Sequence, residues 1–188
     1  GYLNSIFYAG AGTMFNLFFT LTAAYCMARK PAVKGKGIIM GIFVFTMYFS
    51  GGLIPYYLLI NDLGLYDNRL ALVLPGALSV YNMIIVRTYY QTTIPQSLYE
   101  SATIDGANDL SMFLRVTLPL SKPVIAVMTL FFIVGHWNSY FPAMIFLSSE
   151  EKFPLQLVLR NILILNQTLK NINYNNLTSE AILDLIRR

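Results

Sequence analysis

Ile94-Pro95-Gln96-Ser97-Leu98-Tyr99-Glu100-Ser101-Ala102-Thr103-Ile104-Asp105-Gly106-Ala107-Asn108-Asp109-Leu110-Ser111-Met112-Phe113-Leu114-Arg115-Val116-Thr117-Leu118-Pro119-Leu120-Ser121-Lys122-Pro123 is a polar interval between strongly apolar runs. Its local chemistry predicts a helix, a hinge and a second helix. Pro95 suits a first helical position, where a missing N–H costs nothing. Gly106, just after Asp105, is the natural place for a left-handed turn. Asn108 or Asp109 can cap the next helix, and Leu118-Pro119 is expected to end it. Leu98 and Ala102 share one face of the first helix, Phe113 and Val116 one face of the second. The segment reads as a half-apolar helical elbow.

What flanks it belongs in a bilayer. The chain is 56% hydrophobic and only 12% charged, with a mean hydropathy of +0.56. A soluble domain would carry about 25% charge. The expected fold is therefore all-α, a polytopic helical bundle with about four spans. These are read at residues 2–28, 37–60, 70–87 and 124–147, with the elbow at 94–123. Small residues such as Gly10, Gly12 and Ala24 in the first run allow close helix approach. Gly51-Gly52 and Pro55 should break or kink the second, as a packing feature or as a substrate contact. Pro75-Gly76 softens the third. Residues 148–188 are polar and asparagine-rich, with a short apolar piece at Phe153–Leu159 suited to the membrane interface and a helix expected at Ser179–Arg188. The lone Cys26 excludes an internal disulfide and reads as a small packing residue.

Charge sets the orientation. Arg29, Lys30, Lys34 and Lys36 crowd one loop without an anion, so that loop is expected in the cytoplasm. The next connection holds Asp62, Asp67 and Arg69 and is expected outside. Alternation then returns the elbow to the cytoplasm and puts residues 148–188 outside. A net charge of +4 is too small and dispersed for nucleic acid.

Glu100-Ser101-Ala102, Asp105-Gly106-Ala107, Phe113, Leu118-Pro119 and Pro123 resemble the EAA loop of ABC-importer permeases. The likeness is to the type I permease fold and to its MalG-like carbohydrate branch, above all the LplC or YtcP group thought to take up complex oligosaccharides. Ser101 stands where the motif usually has Ala. The resemblance extends from the first span through the span after the elbow. It implies a multi-pass protein of the bacterial plasma membrane that forms half of a sugar path, beside a second permease subunit in a heterodimer. Its other implied partners are an ATP-binding cassette ATPase dimer, an extracellular solute-binding lipoprotein and membrane lipid. ATP and magnesium would sit on the ATPase, and this chain would bind no cofactor. Glu100, Ser101, Ala102, Asp105, Gly106, Ala107, Leu98, Phe113, Leu118 and Pro119 would form the coupling element. Glu100 would meet a basic ATPase residue or simply favour its own helix N-terminus, Gly106 would aim the helix, and Leu98, Ala102 and Ile104 would supply apolar surface. In this family a further span follows a segment like 148–188; the chain also starts at Gly1 rather than Met, so both ends are expected to be truncated.

Nothing in the residues argues for an enzyme. Lys34-Gly35-Lys36-Gly37 lacks the upstream Gly and the Ser/Thr of a phosphate-binding loop. The single histidine excludes a multi-histidine metal site. Polar groups midway along the fourth span, His136, Trp137, Asn138 and Tyr140, are costly in lipid unless they pair or line a watery cavity. Aromatic faces and amides suit a sugar, and the same groups can tie neighbouring helices together. Asn82 in the third span is a similar candidate. An importer subunit for a non-sugar solute, a secondary transporter and a membrane-anchored assembly protein remain as alternatives; the spans hold too few ionisable groups to favour the secondary transporter.

Overall fold

The computed structural model describes residues 1–29 and 35–168. Among these residues the chain is helical and contains no strand, in keeping with an all-α bundle. The first run is one unbroken helix, α1 (Tyr2–Ala28), because it contains neither proline nor charge. Twenty-seven residues at 1.5 Å each give about 40 Å, enough to cross the hydrocarbon layer.

The other runs are interrupted, at Gly51-Gly52, around Pro75-Gly76 and at Asn138. Residues 37–60 form two helices, α2 (Lys36–Tyr48) and α3 (Leu53–Asp62), which meet at 113° across Gly51-Gly52. The break read from the glycines is therefore a turn, much sharper than a packing kink. Residues 70–87 are not one helix either. A 3₁₀ turn (Arg69–Leu72) leads into residues 73–79, which are not helical. Only then does α4 (Val80–Thr93) begin, with the Ser79 hydroxyl accepting from the Asn82 N–H at 3.4 Å. Pro75 removes a donor from the preceding turn, so the helix starts after it and runs past Arg87 to Thr93.

The elbow comprises α5 (Gln96–Ile104), α6 (Asp109–Met112), a π turn (Phe113–Thr117) and α7 (Leu118–Leu120). It turns by 82° into α8 (Lys122–Trp137). The expected fourth span, 124–147, stops at Trp137 and resumes as α9 (Phe141–Phe146). A 3₁₀ turn (Glu150–Lys152) precedes α10 (155–168). By length and apolarity α1 alone among the described residues qualifies as a spanning helix; two bent pairs, α2 with α3 and 109–120 with α8, would each pass as one span. Lys30, Lys34 and the helix expected at Ser179–Arg188 lie outside the described residues.

The core sits where α1 packs against α4 and α8. Ala24 and Tyr25 meet Met83, Val86 and Tyr90 of α4 and Met128 and Phe132 of α8, and Tyr99, Met112 and Phe113 bring the elbow into the same cluster. The opposite face of α1 exposes apolar side chains, Leu3 at 80% and Met14 at 75%, which a water-soluble surface would not carry so densely. Cys26 lies on an exposed face, so it is no packing residue.

Polar contacts hold the end away from the elbow. Asn4 donates to the Phe153 carbonyl (3.1 Å), Tyr8 to Lys152 O (2.8 Å), and the Leu155 N–H to Ser5 Oγ (2.8 Å). Asp67 accepts from the Ser148 and Ser149 N–H groups (3.0 Å each), the Ser149 hydroxyl (2.6 Å) and the Lys152 ammonium (2.8 Å). Phe153–Leu159, read as suited to the membrane interface, is tied to the first turns of α1, with Leu157 buried beside Tyr8.

Candidate functional site

Two groups of residues carry the chemistry, the elbow at one end and a polar cluster between α1 and α8. In the elbow, Pro95 is the residue just before the helix, with an extended ψ of 142°, rather than its first helical residue. Tyr99 is the inward anchor of α5. It is buried, and its hydroxyl lies 3.3 Å from Thr117 Oγ1. Gly106 takes φ +79°, a left-handed conformation open to glycine at no steric cost. Asn108 then caps α6 through its Oδ1, which accepts from the Ser111 N–H at 2.8 Å.

Leu118-Pro119 does not end the second helix. The Leu118 N–H reaches back to Phe113 O, an i to i+5 bond, so the ladder widens one turn before Pro119 and absorbs its missing donor. The Ser121 hydroxyl donates to Thr117 O at 2.6 Å, and the helix turns only after Leu120.

The residues proposed for the coupling element divide into two sets. Leu98, Glu100, Ser101, Asp105, Gly106 and Pro119 are exposed. Ala102, Phe113 and Leu118 face the core, Phe113 with its ring 5.0 Å from Tyr25; Ala107 is half-buried. Ile104 is 86% exposed and Leu110 65%, an apolar surface that no described residue covers. Of the three residues expected to supply apolar surface, Leu98 and Ile104 are exposed and Ala102 is half-buried against the core.

The second group centres on Asn16, a side chain that sequence reasoning passed over. Its amide donates to Gly76 O at 2.7 Å, and its Oδ1 lies 2.8 Å from His136 Nε2. The amide nitrogen is occupied by Gly76, so Oδ1 must accept, and the histidine is assigned as the Nε2–H tautomer. This one side chain satisfies a carbonyl of the non-helical 73–79 segment, whose backbone groups lack helical partners. Gly12 makes room for the ring: a Cβ there would sit 2.5 Å from His136 Nε2.

A cavity of about 390 Å³ opens beside this cluster, lined by Asn16, Ser79, Asn82, Gly135, His136 and Ser139 among apolar neighbours. It brings His136 and Asn82 together and leaves out the other three candidates. Trp137 stacks edge-on against Tyr2 (6.0 Å), Asn138 donates to Val134 O (2.9 Å), and Tyr140 lies under Arg160 (5.8 Å). His136 and Asn138 are not midway along a span but at the C-terminal end of α8, where the helix breaks. No group of three or more metal-ligating side chains occurs among the described residues.

Residues 17–177 match the family of binding-protein-dependent transport system inner membrane components. The chain belongs to that family. Protein LplC of Bacillus subtilis (strain 168) is 46% identical over 86% of this chain and 54% of its own length. The polygalacturonan/rhamnogalacturonan transport system permease protein YtcP of the same organism is 43% identical over 87% and 57%. Among solved structures, a chain of a bacterial ABC transporter involved in the import of the acidic polysaccharide alginate superposes with a TM-score of 0.82. It is 41% identical, covering 85% of this chain and 56% of that one. The chain thus spans about half the length of the curated relatives it matches.

Membership gives both groups a context. An inner-membrane permease component needs a polar passage among apolar helices and a part that meets the rest of the transporter. Asn16 was legible as an amide deep in an apolar run, one helical turn after Gly12 and before Thr20, a spacing that aligns all three on one face.

Proposed function

We propose that this chain is the permease subunit of an ATP-driven, binding-protein-dependent importer, forming half of the path for a sugar or oligosaccharide and coupled to a separate ATPase through residues 94–123. The observation that carries this reading is the elbow's construction. A capped helix on each side of a left-handed Gly106 leaves Ile104 and Leu110 exposed. An apolar, rigidly hinged projection has a purpose only if another surface covers it. Closure of the ATPase dimer on ATP and magnesium would carry the two docked elbows together and rock the spans between inward-open and outward-open states.

Several features support the remaining parts. Arg29 and the elbow share one end of α1, as expected if that end is cytoplasmic, and Asp67 with residues 148–155 shares the other. The amides and hydroxyls around the cavity beside His136 suit a hydroxyl-rich cargo, and the names of the relatives point to carbohydrate. A second permease subunit and an extracellular binding protein would complete the assembly.

The test is a pull-down of the full-length permease with its partner subunit against the cognate ATPase, comparing wild type with Glu100→Ala plus Gly106→Asp. Loss of the ATPase from an otherwise intact membrane complex is the expected result. Unchanged retention would reduce the elbow to a connecting loop.

A further inference from the structure

We propose that Arg29 and Asp109 form a latch fastening the second half of the elbow to α1, which makes Arg29 a positioning residue for transport. The proposal rests on reading the elbow as the ATPase-docking element. Arg29 ends α1 in an extended conformation, its N–H still bonded to Tyr25 O at 3.1 Å. From there its guanidinium reaches the Asp109 carboxylate in the first turn of α6. One turn earlier in α1, the Tyr25 hydroxyl donates to the Asp109 carbonyl (3.2 Å), and the Tyr25 ring packs on Phe113. Tyr25 and Arg29 are spaced i, i+4, so one face of α1 holds both the side chain and the main chain of Asp109.

The half of the elbow before Gly106 is mounted differently. Beside α5 lies a cavity of about 310 Å³ lined by Arg29, Tyr90, Gln91, Gln96 and Tyr99. Tyr90 is 1% exposed, and neither its hydroxyl nor Arg29 Nε has a hydrogen-bond partner among the described residues. α5 is held by packing and by the Tyr99–Thr117 pair, whereas α6 is tied to α1 by side-chain polar contacts as well. A displacement of the docked elbow therefore reaches α1 through Asp109 and Arg29. The Asp109 side chain is 74% exposed and that of Arg29 20%. A pair this open to water acts on orientation modestly, and its loss should change the response about two- to five-fold.

Cys26, exposed on α1 three residues before the latch, supplies the reporter. In the assembled full-length importer with its ATPase, a fluorophore on Cys26 reads whether α1 responds when a non-hydrolysable ATP analogue and magnesium are added. The response should fall about two- to five-fold in Arg29→Gln and in Asp109→Asn. The double variant should be no worse than either single one, and Arg29→Lys should stay near wild type. Wild-type responses in both singles, or a double loss equal to the product of the single losses, overturns the latch. Should Arg29→Gln fail to assemble, Arg29→Lys and Asp109→Asn still decide, since a latch requires the first to respond and the second to respond less. Ile104→Glu, measured for ATPase retention in the same preparation, separates the two ideas. ATPase loss there with wild-type responses in the latch variants removes the latch alone, whereas ATPase retention removes the docking reading and the latch with it.

Discussion

Gly12→Ala tests the polar cluster with a single methyl group. A Cβ at this position would lie 2.5 Å from His136 Cε1 and Nε2 and 2.7 Å from Cδ2. Ordinary contact between such atoms is about 3.5 Å, so the ring must retreat by about 1 Å. Its 2.8 Å bond to Asn16 would then exceed the useful range of about 3.2 Å. Overpacking costs ~1–3 kcal/mol and the lost interhelical bond ~0.6–2 kcal/mol, giving ~2–5 kcal/mol in total. The measurement is denaturant unfolding of the purified chain in detergent, run as a double-mutant cycle with His136→Ala. With the ring removed, the methyl has space, and alanine becomes the better helix residue by up to ~1 kcal/mol. Gly12→Ala should therefore destabilise the wild type and leave His136→Ala unchanged or slightly more stable. Equal destabilisation in both backgrounds would mean that Gly12 does not make room for the histidine. No effect in either would mean that α1 and α8 do not approach as described.

Gly106→Val forces a β-branched residue to φ +79°, a strain of ~1–2 kcal/mol. Membrane insertion should survive while ATP hydrolysis separates from transport; normal transport in that variant would end the hinge role. At the other end, the Lys152 ammonium, followed by the Ser149 and Ser148 donors, holds the Asp67 carboxyl well below the usual carboxylate range. A lowered value means that the ionised form is favoured by folding, so this tie is complete above the ordinary value of about 3.9 and weakens as pH falls below it. The protection of the Ser148 and Ser149 amides, measured against their intrinsic exchange rates at each pH, should fall in acid, and Asp67→Asn should show that lower protection already at neutral pH. Exchange in Asp67→Asn matching wild type at neutral pH would refute the assignment.

The elbow was legible because its signals are local. A glycine after Asp105 and an asparagine before Asp109 act within a turn, and both appear in the structure as read. Pro119 was misread because proline normally stops a helix, whereas the π turn just before it (Phe113–Thr117) shifts the ladder to accommodate it. Hydropathy measures how apolar a run is and is blind to whether its backbone stays helical; the breaks in 37–60 and 70–87 were legible from Gly51-Gly52 and Pro75-Gly76, whereas the break after Trp137 in 124–147 was not read. Long-range partners left no local trace. Asn16 meets a carbonyl 60 residues away and a histidine 120 residues away, and Arg29 meets Asp109 across two helices. Their residue types signalled a need for partners without saying which.

These long-range contacts share one element. α1 meets the 151–155 segment through Asn4, Ser5 and Tyr8, the break in α8 through Gly12 and Asn16, and the elbow through Tyr25 and Arg29. Every other long apolar run among the described residues is broken, and a broken run absorbs displacement at its hinge. An unbroken helix of 27 residues cannot shorten, so a shift at Asp109 has to appear as movement or strain at Asn16. There it acts on the one hydrogen bond that holds α8 to the non-helical 73–79 segment through a shared amide, at the edge of the polar cavity. If the elbow is the docking element, α1 is the member that carries its motion to the path. The cost of breaking the Asn16–His136 bond, ~0.6–2 kcal/mol, is small enough for such a motion to open it.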